Sequence, residues 1–255
     1  IDVNSANQYG KPALMWASQH GHSSVVELLL GTKAIDVNIT HRGGDTALIY
    51  ASIGGNADII KMLIGAGADI TATNSCGYTA LTMASTYSHY RIVRMIQEEI
   101  AAESSNPNTF SLQELNRFSF GTALGYLPEK DLINTQHTCK YANNVGDEVR
   151  SIRYIGLTQE ERQATFFKAA KYGDLRTIQL LLDLNETVRP DVNTVDDLHS
   201  RTALLWAAFN CHAAVVEQLL IAGANVNASD VYGNTTLMEA SKHGHAAVVG
   251  KLLQA

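Results

Sequence analysis

The residues best suited to chemistry in this 255-residue chain are its nine histidines and its scattered carboxylates. Two histidine pairs, His20-Gly21-His22 and His243-Gly244-His245, invite a metal reading. However, His22, His89, His212 and His245 fall at one recurring position, the start of a second helix in a repeated unit, so the repeat itself accounts for them. His137-x-Cys139 supplies two ligands where a structural zinc site needs four. Gly43-Gly44 and Gly54-Gly55 lack the lysine and hydroxyl of a phosphate loop. Asp45 and Asp58 read as surface polar positions rather than paired carboxylates. An enzyme needs a nucleophile with its base, paired carboxylates or a metal constellation, and none is legible. The expectation is a chain with no catalytic residue, no metal and no cofactor.

Bulk composition narrows the class further. Nineteen basic and 25 acidic side chains leave a net charge of −6, which argues against a dedicated nucleic-acid binder and against polybasic attachment to anionic lipid. Hydrophobic residues make up 45% and charged residues 17%, so the chain has the means to bury a core. It contains no run of about 18 apolar residues, the length a membrane span requires. Cys76, Cys139 and Cys211 stand far apart with no Cys-x-x-Cys spacing, which fits a reducing, intracellular (cytoplasmic) setting. The chain opens at Ile1 without a start methionine or a signal-peptide pattern and reads as a fragment.

What positions these side chains is an internal repeat. Gly10-Lys11-Pro12-Ala13-Leu14 leads to Gly21-His22 and then to Val25-Val26-Glu27-Leu28-Leu29-Leu30. The phrase returns from Gly44 and from Gly77, at steps of 34 and 33 residues. It returns again at Thr202-Ala203-Leu204 and Thr235-Thr236-Leu237, while a unit without its front half runs from Ala169-Ala170 through Gly173-Asp174 to Leu182. Asp2-Val3-Asn4, Asp36-Val37-Asn38 and Asp191-Val192-Asn193 punctuate the units, with Asn225-Val226-Asn227 as a variant. A threonine caps a short first helix, a glycine such as Gly21, Gly55, Gly173 or Gly244 ends it, and a second helix carries one apolar stripe. Gly67 and Gly223 close the second helix. Two helices of about ten residues cannot bury such stripes alone, so neighbouring units must stack.

This pattern resembles the ankyrin repeat: six units, interrupted after the third. The resemblance implies an all-α solenoid of helix-turn-helix units with β-hairpin-like fingers. Residues 1–102 are read as units one to three, 103–163 as a folded non-repeat insertion, and 164–255 as units four to six. Departures from the family phrase are specific. Its histidine is replaced by Met15, Ile49, Thr82, Leu205 or Met238, so an apolar contact is expected at the finger base. Ser88 and Cys211 replace the inter-helix glycine, and strain is expected there. Leu30 and, beyond it, Asp36-Val37-Asn38 also resemble the pattern that asparaginyl hydroxylases accept in such repeats; the alternative is that Asn38 braces the finger by hydrogen bonding.

The insertion carries eight acidic and six basic residues and six aromatics, from Phe110 to Tyr154. Ser111 with Glu114 and Thr158 with Glu161 read as capping boxes, the second opening a helix through Lys171. Pro128 to Asn134 reads as a helical turn, and the stretch from Tyr141 to Asp147 echoes the later repeat as a degenerate unit. Coaxial blocks would give one long groove and angled blocks two short ones; the sequence leaves both open.

In the family, fingers and first helices line a concave groove that binds proteins. Carried over position by position, the contact residues are Tyr9, Lys11, Trp16 and His20 in unit one, Arg42 and Tyr50 in unit two, and Tyr78 and Tyr87 in unit three. Trp206 and Phe209 follow in unit five, and Tyr232 and Lys242 in unit six. Trp16, Tyr50 and Trp206 serve equally well as packing between neighbouring first helices. The function expected is a non-catalytic interaction module that holds a partner protein or peptide, with the insertion as a second contact. Nucleic acid, membrane and a small-molecule substrate are not expected partners. The alternative is a targeting arm of a larger enzyme or bacterial effector acting in a host cytosol.

Overall fold

The computed structural model describes residues 1–104, 154 and 156–255. Among these residues the chain forms twelve helices. They are α1 (Ala13–His20), α2 (Ser23–Leu30), α3 (Ala47–Gly54), α4 (Ala57–Gly65), α5 (Ala80–Thr86) and α6 (Tyr90–Ser104). After the undescribed stretch come α7 (Gln159–Tyr172), α8 (Leu175–Leu182), α9 (Ala203–Phe209), α10 (Ala213–Ile221), α11 (Thr236–Lys242) and α12 (Ala246–Leu253). The helix at Pro128 to Asn134, the capping box at Ser111 and the echo at Tyr141 to Asp147 lie outside the described residues.

Local chemistry sets each helix. Thr46, Thr79, Thr202 and Thr235 accept a hydrogen bond from the backbone N–H three residues on, capping α3, α5, α9 and α11. Pro12 takes that place before α1 and offers no side-chain cap. The box at Thr158 and Glu161 opens α7 as its sequence foretells. That helix crosses the boundary drawn after Gln163. The turns at Ser88 and Cys211 do take the left-handed backbone a glycine would supply, at φ of 60° and 64°. Isolated bridges close three fingers on themselves, Ala6 to Pro12, Val195 to Thr202 and Ser229 to Thr235, and the finger-base positions Met15, Ile49, Leu205 and Met238 are buried. Thr82 differs: its hydroxyl accepts the Thr79 N–H at 2.7 Å, a polar contact where an apolar one was expected.

The order of the stack departs from the order of the chain. First helices pack in the sequence α7, α9, α11, α1, α3, α5, and second helices in the sequence α8, α10, α12, α2, α4, α6. Unit six therefore stacks on unit one, and units three and four occupy opposite ends. The two blocks form one continuous row with a seam in its middle. Residues 105–153 connect the two outer ends. One buried apolar cluster runs from Phe166 through Leu204, Leu237, Leu14 and Leu48 to Ile92.

Three kinds of contact that join covalent neighbours recur at the seam. Gln8 N–H donates to Tyr232 O at 3.1 Å, as Arg42 does to Tyr9 at 3.0 Å and Ser75 to Gly43 at 2.9 Å. His22 Nε2 meets Lys242 O at 3.0 Å, while His89, His212 and His245 each meet a carbonyl of the preceding unit at 3.1 Å. Asp2 N–H donates to Asn227 Oδ1, as Asp36 does to Asn4 and Asp69 to Asn38. The histidine column thus ties one unit to the next. Asn38 likewise spans two units, since its amide also donates to Gly67 O.

Candidate binding groove

The groove is built from the outward face of the first helices and from the fingers. Register places Trp206, Glu239, Trp16, Tyr50 and Met83 at one helix position, in stack order. Trp206, Trp16 and Tyr50 are half-buried. Their rings are covered by cations rather than left bare. Lys11 Nζ lies 3.7 Å from the Trp16 ring centroid and 4.0 Å from that of Tyr50, and it donates to Gln19 Oε1. Arg201 lies over Trp206 and Phe209, at 5.0 and 4.8 Å. Like Lys11 over Tyr50, two further lysines reach from one unit to the next: Lys171 over Trp206 at 4.7 Å and Lys242 over Trp16 at 5.0 Å. Each such contact is worth about 0.5–2 kcal/mol, depending on desolvation.

Electrostatics differ along the row. Lys11 is only 6% exposed, so it is part of the groove floor more than its surface. Burial, with the nearby Lys242 charge, brings its ammonium down to about pKa 7, partly opposed by Asp45. Burial would raise the Asp196 carboxyl, but the Arg201 and His199 N–H groups and the Trp206 indole N–H hold it below its usual value. That carboxylate orders the fifth finger, with the indole nitrogen 2.9 Å from Asp196 Oδ2. Asp230 accepts the backbone N–H groups of Tyr232 and Asn234 and pairs with Arg201 at 3.5 Å. Glu239 is 3% exposed, and its Oε2 has no hydrogen-bond partner; His243 Nδ1 stands 3.8 Å away.

Above this floor, Tyr9, Tyr78, Tyr87 and Tyr232 are exposed, as are Arg42 and His20. Phe209 is half-buried and meets His243 edge-on at 4.8 Å. Stack order brings two of these residues together that the sequence holds apart. Tyr9 and Tyr232 occupy the tips of adjacent fingers on either side of the seam. Sequence reasoning did not foresee that adjacency, nor the roles of Arg201, Asp196 and Glu239. One signal was present: Leu252-Leu253-Gln254-Ala255 followed by Ile1-Asp2-Val3-Asn4 reads like the run from Leu29 to Asn38.

The histidine pairs have structural partners. His20 and His22 stack at 6.0 Å, and His243 and His245 at 5.8 Å. Among the described residues no group of His, Cys, Asp or Glu is arranged to hold a metal ion, and no helix is long and apolar enough to cross a membrane. His137 and Cys139 lie outside them.

Family comparison agrees with this geometry. Ankyrin-repeat family models match residues 9–42, 32–84 and 162–255. The chain belongs to the ankyrin-repeat family. The 162–255 match is to a model of three ankyrin repeats, and it covers the fourth, fifth and sixth units. No curated protein matches the chain. Ankyrin repeats are in general protein–protein interaction modules, and ankyrin-repeat domains are in general non-catalytic.

Proposed function

We propose that this ankyrin-repeat chain is a non-catalytic recognition module whose groove, running the length of the six-unit row, holds a segment or surface of another protein. The observation that carries the reading is the row of aromatic side chains at groove positions. Tyr232, Tyr9 and Tyr78 stand exposed at the fingers, above floor rings at Trp206, Trp16 and Tyr50. Tyrosine and tryptophan bury large area with few rotors, which is why they dominate protein hot spots. The proposed contacts are Tyr9, Trp16, His20, Arg42, Tyr50, Tyr78, Tyr87, Trp206, Phe209, Tyr232 and Lys242, with Lys11 acting from beneath. A targeting arm of a larger enzyme or effector would use the same surface. A cytosolic setting suits the free thiols Cys76 and Cys211.

The test is a paired affinity capture from cytosolic extract. One bait is the chain itself; the other carries Tyr9→Ala, Tyr78→Ala, Phe209→Ala and Tyr232→Ala, with folding checked by circular dichroism. A protein captured by the first bait and lost from the second places recognition in the groove. Equal capture by both baits overturns the reading.

A further inference from the structure

We infer that the groove's occupant is an acidic, extended segment of a partner protein, lying across the seam between units six and one. The inference rests on the protein-binding reading above and adds the partner's chemistry to it.

Charge pairing inside the groove is one-sided. Most of its carboxylates are already engaged: Asp196 by three N–H donors, Asp230 by two backbone N–H groups and Arg201, and Asp45 by the Asn74 amide at 2.7 Å, while Asp197 on the fifth finger stays exposed to solvent. Glu239 is buried and faced by His243. Beyond Arg201, three of its cations are not so engaged. Among the described residues Lys171, Lys242 and Arg42 have no carboxylate partner, and Lys171 and Arg42 are exposed. The chain carries a net charge of −6, so these uncompensated cations are a local feature of the groove and not a reflection of composition.

Geometry then selects an extended anion. Lys171 and Lys242 are each held over the tryptophan of the following unit, so both ammonium groups share one register along the row. They stand two units apart in the stack, and Arg42 a further two. With helices packed about 8–10 Å apart, two units span roughly 20 Å. An extended chain covers that in about six residues at roughly 3.3 Å each. Acidic side chains spaced by about six residues would reach Lys171, Lys242 and Arg42 in turn. Between them the segment's apolar atoms would meet Tyr232 and Tyr9. Lys242 and Tyr232 belong to one side of the seam, Trp16 and Tyr9 to the other, so occupancy and seam closure are thermodynamically linked.

Fluorescence anisotropy of a fluorescein-labelled oligoglutamate of about fifteen residues, titrated with the full chain at low and high salt, tests this. Binding that weakens with salt is expected. Lys171→Gln with Lys242→Gln should raise Kd by about tenfold, whereas Lys61→Gln on α4 should change it by less than about twofold. Saturating peptide should also slow hydrogen exchange at the Gln8 amide. No binding by the chain overturns the inference. So does equal affinity in a double variant of unchanged circular dichroism, and so does tighter binding of an oligothymidylate of matched charge. If oligoglutamate fails while capture still depends on Tyr9, Tyr78, Phe209 and Tyr232, protein recognition stands and only its acidic chemistry falls.

Discussion

Gln8 donates its backbone N–H to the carbonyl of Tyr232 across 3.1 Å, a bond between residues near the two ends of the chain. It has the same register as the bond from Arg42 to Tyr9 within covalently continuous units. The stack is therefore a permuted one: its middle is held by side chains and backbone polar groups alone, and its outer ends are joined through residues 105–153. The groove's two central tyrosines owe their adjacency to that arrangement.

Permutation gives the first prediction. A variant that joins Ala255 to Ile1 through a short Gly-Ser linker and opens the chain between residues 104 and 154 should keep the helicity and a single cooperative unfolding transition. Thermal unfolding followed by circular dichroism checks this. A broadened, two-step transition would show that unit six does not stack on unit one.

The seam's histidine gives the second. His22 Nε2 is bonded to Lys242 O, and its ring lies against Gly244 of the neighbouring turn. His22→Ala should cost about 1–2 kcal/mol in urea unfolding and speed exchange at Gln8. The expected change at Ser75, in the far half of the stack, is small.

Backbone conformation gives the third. Gly244 has φ of 73°, and a Cβ placed there would fall 2.6 Å from His22 Nδ1. At Gly223, with φ of 85°, a Cβ would meet open space. Gly223→Ala should therefore cost only the left-handed penalty, about 1–2 kcal/mol, and Gly244→Ala clearly more. Cys211→Gly should gain about 1 kcal/mol, since cysteine sits there at φ of 64°. Denaturant midpoints of the three variants rank them.

Titration gives the fourth. Lys11 loses its proton more readily in the fold, with a pKa of about 7 against 10.5 when unfolded. Between these values the unfolded chain binds more protons, so stability should rise as pH increases from about 7 towards 10.5. Lys11→Met should flatten that rise. Burial also lowers His20 and His245 below 6.5, so stability should fall as pH drops through that value. His20→Gln should reduce the acid limb without touching the alkaline one.

Much of this architecture was legible because each unit states its own capping and packing code. Thr46, Thr79, Thr202 and Thr235 cap as their position in the phrase requires, and the Thr158–Glu161 box starts its helix where the spacing says. The recurring histidines were explained by the repeat, and the structure supplies the reason: each bonds a carbonyl of the preceding unit. The stack order was harder to read, because the repeat code is the same for every neighbour and does not say which unit follows which. Lys11 shows a second limit. Its position marks it for contact, yet its amine is drawn beneath Trp16 and Tyr50 by rings two different units contribute. Such cross-unit contacts depend on what stands next door, which a single unit's sequence does not encode.

The seam also sets how this fold must assemble. Helical arrays ordinarily have short-range contacts and low contact order, so they zip from any starting unit. Here the bonds that unite the halves join residues up to 227 apart in sequence. Closing so long a loop is entropically costly only in proportion to the logarithm of its length. It must nonetheless await two preformed surfaces. Each half would ripen as an independent three-unit rod, and their docking would be the late, slow step of folding.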